Sequence, residues 1–457
     1  MGDRKVLASA MITSFMTTFM SSALNLSIPA LESFFGVSAA AIGWIVSSYT
    51  ISVAALSLPM GKIADIAGRR KVFITGIIGF AALSLVCIFV GSIGVLIGLR
   101  AMMGACAGMI FSTNNAILIS SYPSGMRGRV LGYSVAATYT GLTTGPVVGG
   151  VLNSSFGWRS VFAVSFIISL LALAAALRSD YRDTGNAEMH SSFDVIGSCL
   201  YVFAITASLL GMSRLGSGSS AYIILAAGLL ALAGFFVYED RQPDPVMKVS
   251  MFRRSRTFTF SCLAALLNYG ATFAISYTVS IYLQVILGMS SGRAGLMLIT
   301  MPAVQALFSP MTGSMSDRIR PGILASIGMG ICTFTLILFS HIGSGTPLSY
   351  IIMALCLTGF GFALFSSPNT NAILGCVDKE DYGVANSIIA TMRTYGQSSG
   401  MAVLSVITAA VLGSGSLESS PEEDILSMMH TAFIVFAVLS IMGLFFSLAR
   451  DRGRRTS

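Results

Sequence analysis

Apolar runs of about 20 residues recur along the whole of this 457-residue chain, and a run of that length is what a helix needs to span a bilayer. Hydrophobic residues make up 54% of the sequence, charged residues only 10%, and the mean hydropathy is +0.81. This composition excludes an ordinary soluble domain and predicts an all-α polytopic membrane protein. Fourteen runs begin near positions 7, 41, 72, 93, 130, 158, 194, 219, 258, 293, 322, 347, 383 and 425.

The basic residues are distributed unequally between alternate loops. An even number of spans puts both termini on one side, and the opposite side then keeps only Arg159, Arg214 and Arg293. By the positive-inside rule both termini are predicted to be cytoplasmic. Because the cations lie in short loops, the net charge of +8 does not indicate nucleic-acid binding.

The sequence lacks the motifs of several kinds of functional site. The seven cysteines lie within or beside apolar runs and form no CxxC pair or histidine-linked metal motif. There is no HExxH, Walker motif or acid pair at depth, so we expect no metal, no cofactor and no enzymatic activity. The first apolar run is too long for a signal peptide and is predicted to remain as a spanning helix.

Three short motifs recur at separations of 254, 252 and 255 residues, which predicts two structurally related halves. We expect six helices in residues 1–180, six in 258–457, and two inserted helices with cytoplasmic linkers in 181–257. The pairs are Phe111–Leu118 with Phe365–Leu374, Gly61–Asp65 with Gly313–Asp317, and Gly141–Gly145 with Gly396–Gly400.

A glycine string marks the fifth apolar run. Gly141, Gly145 and Gly149 recur every fourth residue and so lie along one helix face, with Gly150 beside them. Such a face lets a neighbouring helix approach to backbone contact. Pro146 removes one backbone hydrogen bond in mid-helix and permits a kink. A tight packing seam is one interpretation of this pattern.

Together these motifs resemble the 14-helix drug:proton antiporter branch of the major facilitator superfamily, over essentially the whole chain. The resemblance implies a transporter with two six-helix halves and two inserted central helices, and it makes the glycine string an antiporter signature. Met103 departs from the family's arginine motif, in which glutamine is usual. The matching segments are Gly61–Lys71, Leu96–Gly104, Gly141–Gly150, Phe193–Gly197, Glu239, Pro245–Phe252 and Tyr282–Gly288.

The loop motif after the second helix is predicted to form a conformational latch. Asp65 ends that helix, where it can accept charge-assisted hydrogen bonds from Arg69 or from the positive end of a neighbouring helix. The resemblance implies that the latch holds an outward-open state. Alternatively, the loop cations only obey the positive-inside rule. The predicted latch residues are Gly61, Asp65, Gly68, Arg69, Asp317 and Arg318.

Two arginines fall inside predicted spans. An arginine costs about 2.5–3.5 kcal/mol at the centre of a spanning helix, so it should face protein or a wet cavity. The resemblance assigns Arg100 to proton movement or to a central network, and reaching the outer interface is the alternative. Arg393 lies at comparable depth and is a candidate for either packing or substrate contact.

No carboxylate is predicted at mid-membrane. Cation exporters of this branch usually have an aspartate where Met20 stands here. Two arginines and no acid therefore predict a positive cavity and a neutral or anionic amphipathic substrate. Each asparagine has an interhelical hydrogen bond as its alternative role. The predicted cavity residues are Asn25, Tyr49, Asn114, Asn115, Asn268, Tyr269, Asn369 and Asn371.

These features predict a secondary active transporter that expels amphipathic small molecules by alternating access, coupled to protons. The alternatives are a uniporter or exchanger for organic anions or other small metabolites, and a non-transporting receptor or scaffold with the same fold. We expect a monomer in a bacterial or archaeal plasma membrane. Its partners would be the substrate, protons and the lipid bilayer.

Overall fold

The computed structural model describes residues 4–24, 27–37, 39–179, 181, 193–215, 219–412 and 421–450, which form helices joined by turns and loops, with no strand among them. The helices are α1 (Arg4–Ser22), α2 (Ile28–Phe35), α3 (Ala39–Ala67), α4 (Arg69–Cys87), α5 (Ile93–Ser121), α6 (Arg127–Phe156), α7 (Arg159–Leu177), α8 (Val195–Ser213), α9 (Ser219–Glu239), α10 (Ser250–Arg254), α11 (Arg256–Ile281), α12 (Ser291–Leu298), α13 (Thr300–Met315), α14 (Pro321–Phe339), α15 (Leu348–Leu374), α16 (Tyr382–Leu412) and α17 (Glu422–Ala449).

Within the described residues, twelve helical segments are long and apolar enough to cross a bilayer, so the chain is a multi-pass membrane protein. Two further helices, α1 and α6, are 19 and 30 residues long but fall outside that set. Hydroxyl-bearing residues and glycines lower their apolar content. Both nevertheless pack along neighbours that do belong to the set.

The helices α1–α7 and α11–α17 form two sets that pack in the same pattern. The two sets then meet across an interface made mainly by α6 with α13 and by α3 with α16. Since α3 corresponds to α13 and α6 corresponds to α16, these two contacts are equivalent, as a two-fold relation between the sets requires. In chain order, the corresponding pairs are α1/α6 and α11/α16, α3/α5 and α13/α15, α4/α5 and α14/α15, α4/α7 and α14/α17, and α1/α7 and α11/α17.

Helices α8 and α9 come between the two sets in the chain, and we call them the inserted helices. They pack chiefly on each other, and α8 also contacts α3 and α16, one helix from each set. We call the end of the bundle at which α3 gives way to α4 the basic face, since Arg69, Arg70 and Lys71 lie there.

The glycine row of α6 is a packing seam against α1. A Cβ built at Gly141 would lie 3.0 Å from the backbone nitrogen of Phe19, and one at Gly145 would lie 3.1 Å from the carbonyl oxygen of Phe19. At Gly149 the carbonyl carbon of Ala23 would be 2.9 Å away. Only glycine therefore permits this separation of the two backbones.

The proline of the glycine string lies inside α6 without ending it. The helix runs from Arg127 to Phe156, so the hydrogen bond that Pro146 cannot donate is the local loss. Gly150, beside the seam, is half-buried. Packing against α1 accounts for the three spaced glycines, and a role of the string in antiport stays a prediction.

We expect Gly145→Ala to destabilise the protein by about 1–3 kcal/mol, because the added methyl group overpacks the seam between α1 and α6. The thermal unfolding midpoint in detergent measures this effect. Gly98→Ala is the matched control, since a Cβ at Gly98 of α5 meets no atom within 4 Å. Equal midpoints for the two variants would contradict the assignment of a tight seam.

Candidate functional site

A polar cavity lies between the two sets of helices. Residues of α1, α5 and α6 line one side, and residues of α11, α15 and α16 line the other. No carboxylate occurs among the described residues of this lining, and its one cation is an arginine. The lining residues are Ser14, Phe111, Asn114, Asn115, Ser134, Val135, Thr138, Tyr139, Tyr269, Ser366, Thr370, Asn386, Ile389, Ala390 and Arg393.

Arg393 supplies the positive charge of the cavity. Its guanidinium carbon lies 4.7 Å from the centre of the Phe111 ring, on the opposite side of the interface between the two helix sets. The described part of the chain gives Arg393 no acidic partner in an ion pair. The guanidinium therefore remains available to an anionic group in the cavity.

An amide pair lies in the lining of the cavity. The Nδ2 atom of Asn115 donates to Oδ1 of Asn386 at 3.0 Å, and Asn386 in turn donates to the carbonyl oxygen of Phe111. The hydroxyl of Ser134 donates to Oδ1 of Asn115 at 3.2 Å. These bonds join α5 and α6 to α16 and link the two helix sets at the cavity.

Two other predicted cavity residues also reach the lining. Asn114 donates to Oγ of Ser14 at 2.8 Å, and its Oδ1 atom is buried with no hydrogen-bond partner in the described chain. The hydroxyl of Tyr269 lies 3.5 Å from that of Ser366. Asn114, Asn115, Tyr269 and Arg393 are thus brought together.

The remaining predicted cavity residues do not line this cavity. Asn369 accepts a hydrogen bond at 2.7 Å from Arg450, which is 2% exposed. Asn371 donates to Oγ of Ser316 at 3.0 Å. Asn268 is fully buried in α11, and neither amide atom has a partner among the described residues.

Asn25 lies outside the described residues, and Tyr49 belongs to a separate buried group with Arg100. The hydroxyl of Tyr49 donates to the carbonyl oxygen of Thr17 at 2.9 Å. Arg100 lies over the Tyr49 ring at 4.3 Å, and its Nε atom donates to the carbonyl oxygen of Ile45 at 3.0 Å. Its two terminal nitrogens are buried and have no hydrogen-bond partner in the described chain. Arg100 is therefore a buried cation apart from the cavity.

The first predicted latch joins the two helix sets at the basic face. Asp65 of α3 accepts hydrogen bonds from the backbone amides of Gly383 and Val384, at 3.2 and 3.1 Å. These amides belong to the first turn of α16, where N–H groups lack partners within the helix. Arg69 forms an ion pair with Asp65 at 2.8 Å and also donates to the carbonyl oxygen of Glu380 at 3.2 Å.

Glycines permit the geometry of this latch at two positions. A Cβ at Gly61 would lie 2.7 Å from the carbonyl oxygen of Gly383, so Gly61 lets α3 and α16 come into backbone contact. Gly68 adopts φ = +106° between α3 and α4, a conformation that residues with a side chain rarely adopt. This turn places Arg69 beside Asp65.

The second predicted latch is the counterpart of the first, but Arg318 takes no part in it. Asp317 accepts hydrogen bonds from the amides of Gly128 and Arg129 at the start of α6, at 2.6 and 2.9 Å. Arg318 is exposed and forms no ion pair with Asp317. Burial raises the pKa of the Asp317 carboxyl, although the two amides and the charge of Arg129 lower it in part.

Some contacts between the two helix sets are not evident from the sequence motifs. Asn386 bridges the two helix sets at the cavity, and Ser387 donates to the carbonyl oxygen of Ser57 at 2.8 Å. The available signal is two adjacent polar residues early in an otherwise apolar run. Motif spacing cannot identify their partners, which lie about 270 residues or more away in sequence.

Family comparison identifies the chain. Residues 10–239 and 261–457 match the Major Facilitator Superfamily. The chain belongs to this superfamily. Relatives of the chain include a riboflavin transporter and a resistance and export protein.

Two bacterial relatives are similar to this chain over most of its length. The riboflavin transporter RibZ of Clostridioides difficile is 27% identical over 410 residues, which are 89% of this chain and 88% of that protein. The tetracenomycin C resistance and export protein of Streptomyces glaucescens is 27% identical over 402 residues, covering 87% and 74% of the respective chains.

A solved structure has the same fold. The crystal structure of the human organic anion transporter MFSD10 superposes with a TM-score of 0.70 at 16% identity. The superposition covers 97% of this chain and 99% of that one. At this level of identity the likeness concerns the fold alone.

We expect Asp65→Ala and Asp317→Ala each to lower the ratio of closed to open basic face by about 10-fold to 100-fold. Each change removes acceptors of charge-assisted hydrogen bonds, which contribute about 1.5–3 kcal/mol. Pulsed electron paramagnetic resonance between spin labels at the exposed positions Ser124 and Arg320 measures the two populations.

Arg318→Ala is the matched control for the second latch and should leave the distance distribution unchanged. A shift in Arg318→Ala as large as the one in Asp317→Ala would show that the positive charge, and not the contact with the amides of α6, holds this end closed.

Proposed function

We propose that this chain is a secondary transporter that exports an anionic or neutral amphipathic small molecule by alternating access, with proton coupling. The observation that carries the substrate class is Arg393, a cation in the cavity between the two helix sets with no acidic partner among the described residues. A permanently charged cation would be repelled from such a site.

Alternating access draws support from the arrangement of the two helix sets. They meet around the cavity, and Asp65 and Asp317 tie them together at the basic face. Release of these two ties would let the sets rotate as rigid bodies and open that face. In this proposal the described conformation has its cytoplasmic side closed.

The chemistry of the cavity favours a flat molecule that carries oxygen atoms. The ring of Phe111 offers a stacking surface, Arg393 offers charge, and Asn114, Asn115 and Tyr269 offer hydrogen bonds. The proteins that this chain resembles support this class, since they include a riboflavin transporter, a tetracenomycin C export protein and an organic anion transporter.

The proposed topology counts α1 and α6 as spans in addition to the twelve apolar segments, which makes 14. Both helices are packed among spanning helices, and α6 is long enough to cross a bilayer. The basic face is then cytoplasmic, with both termini on that side of a bacterial plasma membrane. One chain contains both helix sets, so a monomer is sufficient for transport.

A uniporter or organic-anion exchanger is the second candidate. The observation that favours it is the absence of a carboxylate from the described cavity lining. Many proton-coupled transporters use intramembrane acids as proton relays. Coupling here would require another titratable group.

We expect Arg393→Ala to weaken transport of an anionic probe such as fluorescein by about 10-fold to 100-fold in apparent affinity, because the variant lacks the charge-assisted contact. Uptake into proteoliposomes measures it. Arg393→Lys should retain a larger part of the affinity because the positive charge remains. Transport of neutral riboflavin should change less, and preferential, saturable transport of a dication by the unmodified protein would contradict the substrate class.

Imposing a pH gradient on the same proteoliposomes tests the coupling. An antiporter accumulates the substrate against its concentration gradient, and we expect Arg100→Ala to abolish this accumulation while equilibrating flux remains. Arg100 is suited to the test because its terminal nitrogens are buried without partners in the described chain. If the unmodified protein only equilibrates the substrate and ignores the gradient, the uniporter candidate replaces the antiporter.

A further inference from the structure

Two carboxyl groups meet at the ends of the inserted helices, away from the cavity. Asp194 caps the first turn of α8, where its Oδ1 atom accepts from the amide of Gly197 at 2.8 Å. Glu239 is the last residue of α9 and is 1% exposed. Its Oε2 atom accepts from the amide of Met247 at 3.0 Å. Each carboxyl therefore has one oxygen bonded to the backbone.

The other oxygen of each carboxyl is buried and has no hydrogen-bond partner in the described chain. These atoms are Oδ2 of Asp194 and Oε1 of Glu239. A Cβ built at Gly197 would lie 2.6 Å from the first atom and closer still to the second. The two oxygens thus face the same point beside α8, and the absence of a side chain at Gly197 leaves room for both.

The groups around this acid pair do not neutralise it. The hydroxyl of Tyr238 donates to Oδ1 of Asp194 at 3.4 Å, which leaves Oδ2 without a donor. Lys62 of α3 acts on Glu239 through its charge but forms no ion pair with it in the described structure. Asp240, the next carboxylate along the chain, is instead paired with Arg253 at 3.0 Å.

Two ionised carboxylates in this position would repel each other, and each would keep a buried oxygen unpaired. A single proton removes both costs. A protonated carboxyl has one O–H donor, and the other carboxylate is its natural acceptor. We propose that Asp194 and Glu239 hold one proton between them, as a titratable site on the inserted helices.

This site lies outside the cavity, and the inference does not depend on what the protein transports. Its occupancy can be measured on the resting full-length protein in lipid nanodiscs without any substrate. A failed transport assay would therefore leave the test of the acid pair intact, and the reverse also holds.

Infrared difference spectroscopy during a pH titration tests the proposal. We expect the C=O stretching band of a protonated carboxyl near neutral pH, lost on titration to alkaline pH. Glu239→Gln and Asp194→Asn should each remove that band and release about one proton fewer per molecule over the same titration. Asp194→Asn should fold, because asparagine caps a helix as well as aspartate does.

Asp240→Asn is the matched control and should keep both the band and the released proton. A band that survives in both Glu239→Gln and Asp194→Asn, or that disappears equally in Asp240→Asn, overturns the proposal. Lys62→Ala tests whether Lys62, and not a shared proton, neutralises Glu239. The shared proton requires that the band persist to higher pH in this variant, whereas a band present only in Lys62→Ala would mean that Lys62 neutralises Glu239 in the unmodified protein.

Discussion

At the basic face, the contact between the two helix sets depends on carboxylates that bind the N-termini of helices across the interface. The first amides of α16 and α6 have no acceptor within their own helices, and the positive end of each helix dipole points at the interface. Asp65 and Asp317 satisfy these amides from the opposite helix set. If the sets separate, water must replace all four hydrogen bonds. Because all four run between the sets, breaking them leaves the hydrogen bonds within each set intact.

The glycines make this arrangement possible at close range. Where Gly61 approaches Gly383, a methyl group would collide with the carbonyl of the facing helix and hold Asp65 away from its amides. The seam between α1 and α6 uses the same principle inside one helix set. Backbone contact thus fixes the distances, and the polar bonds then have little freedom in length or direction.

The sequence predicted the architecture better than the site, for a physical reason. Helix positions and the internal repeat follow from apolar length and from local spacing, and Asp65 with Arg69 are only four residues apart. Asn369, in contrast, binds Arg450, 81 residues along the chain, and nothing in the spacing of either indicates the pairing. The spacing of Asp317 and Arg318 predicts that both belong to the second latch. In the structure Asp317 accepts hydrogen bonds from helix amides and Arg318 takes no part. Side-chain direction, which the packing decides, separates the cavity residues from the others.

The positions of the charges limit how a proton could affect transport. Arg393 lines the cavity, whereas Glu239 ends α9 and is not part of that lining. A proton held by the proposed acid pair and a substrate bound in the cavity would therefore occupy different sites. Contacts do connect the acid pair with the turn before α16. Glu239 binds the amide of Met247, and the next residue, Lys248, forms an ion pair at 2.9 Å with Asp381, in the turn that precedes α16. Arg69 donates to carbonyls of that same turn, so contacts link the acid pair to the predicted latch at the basic face.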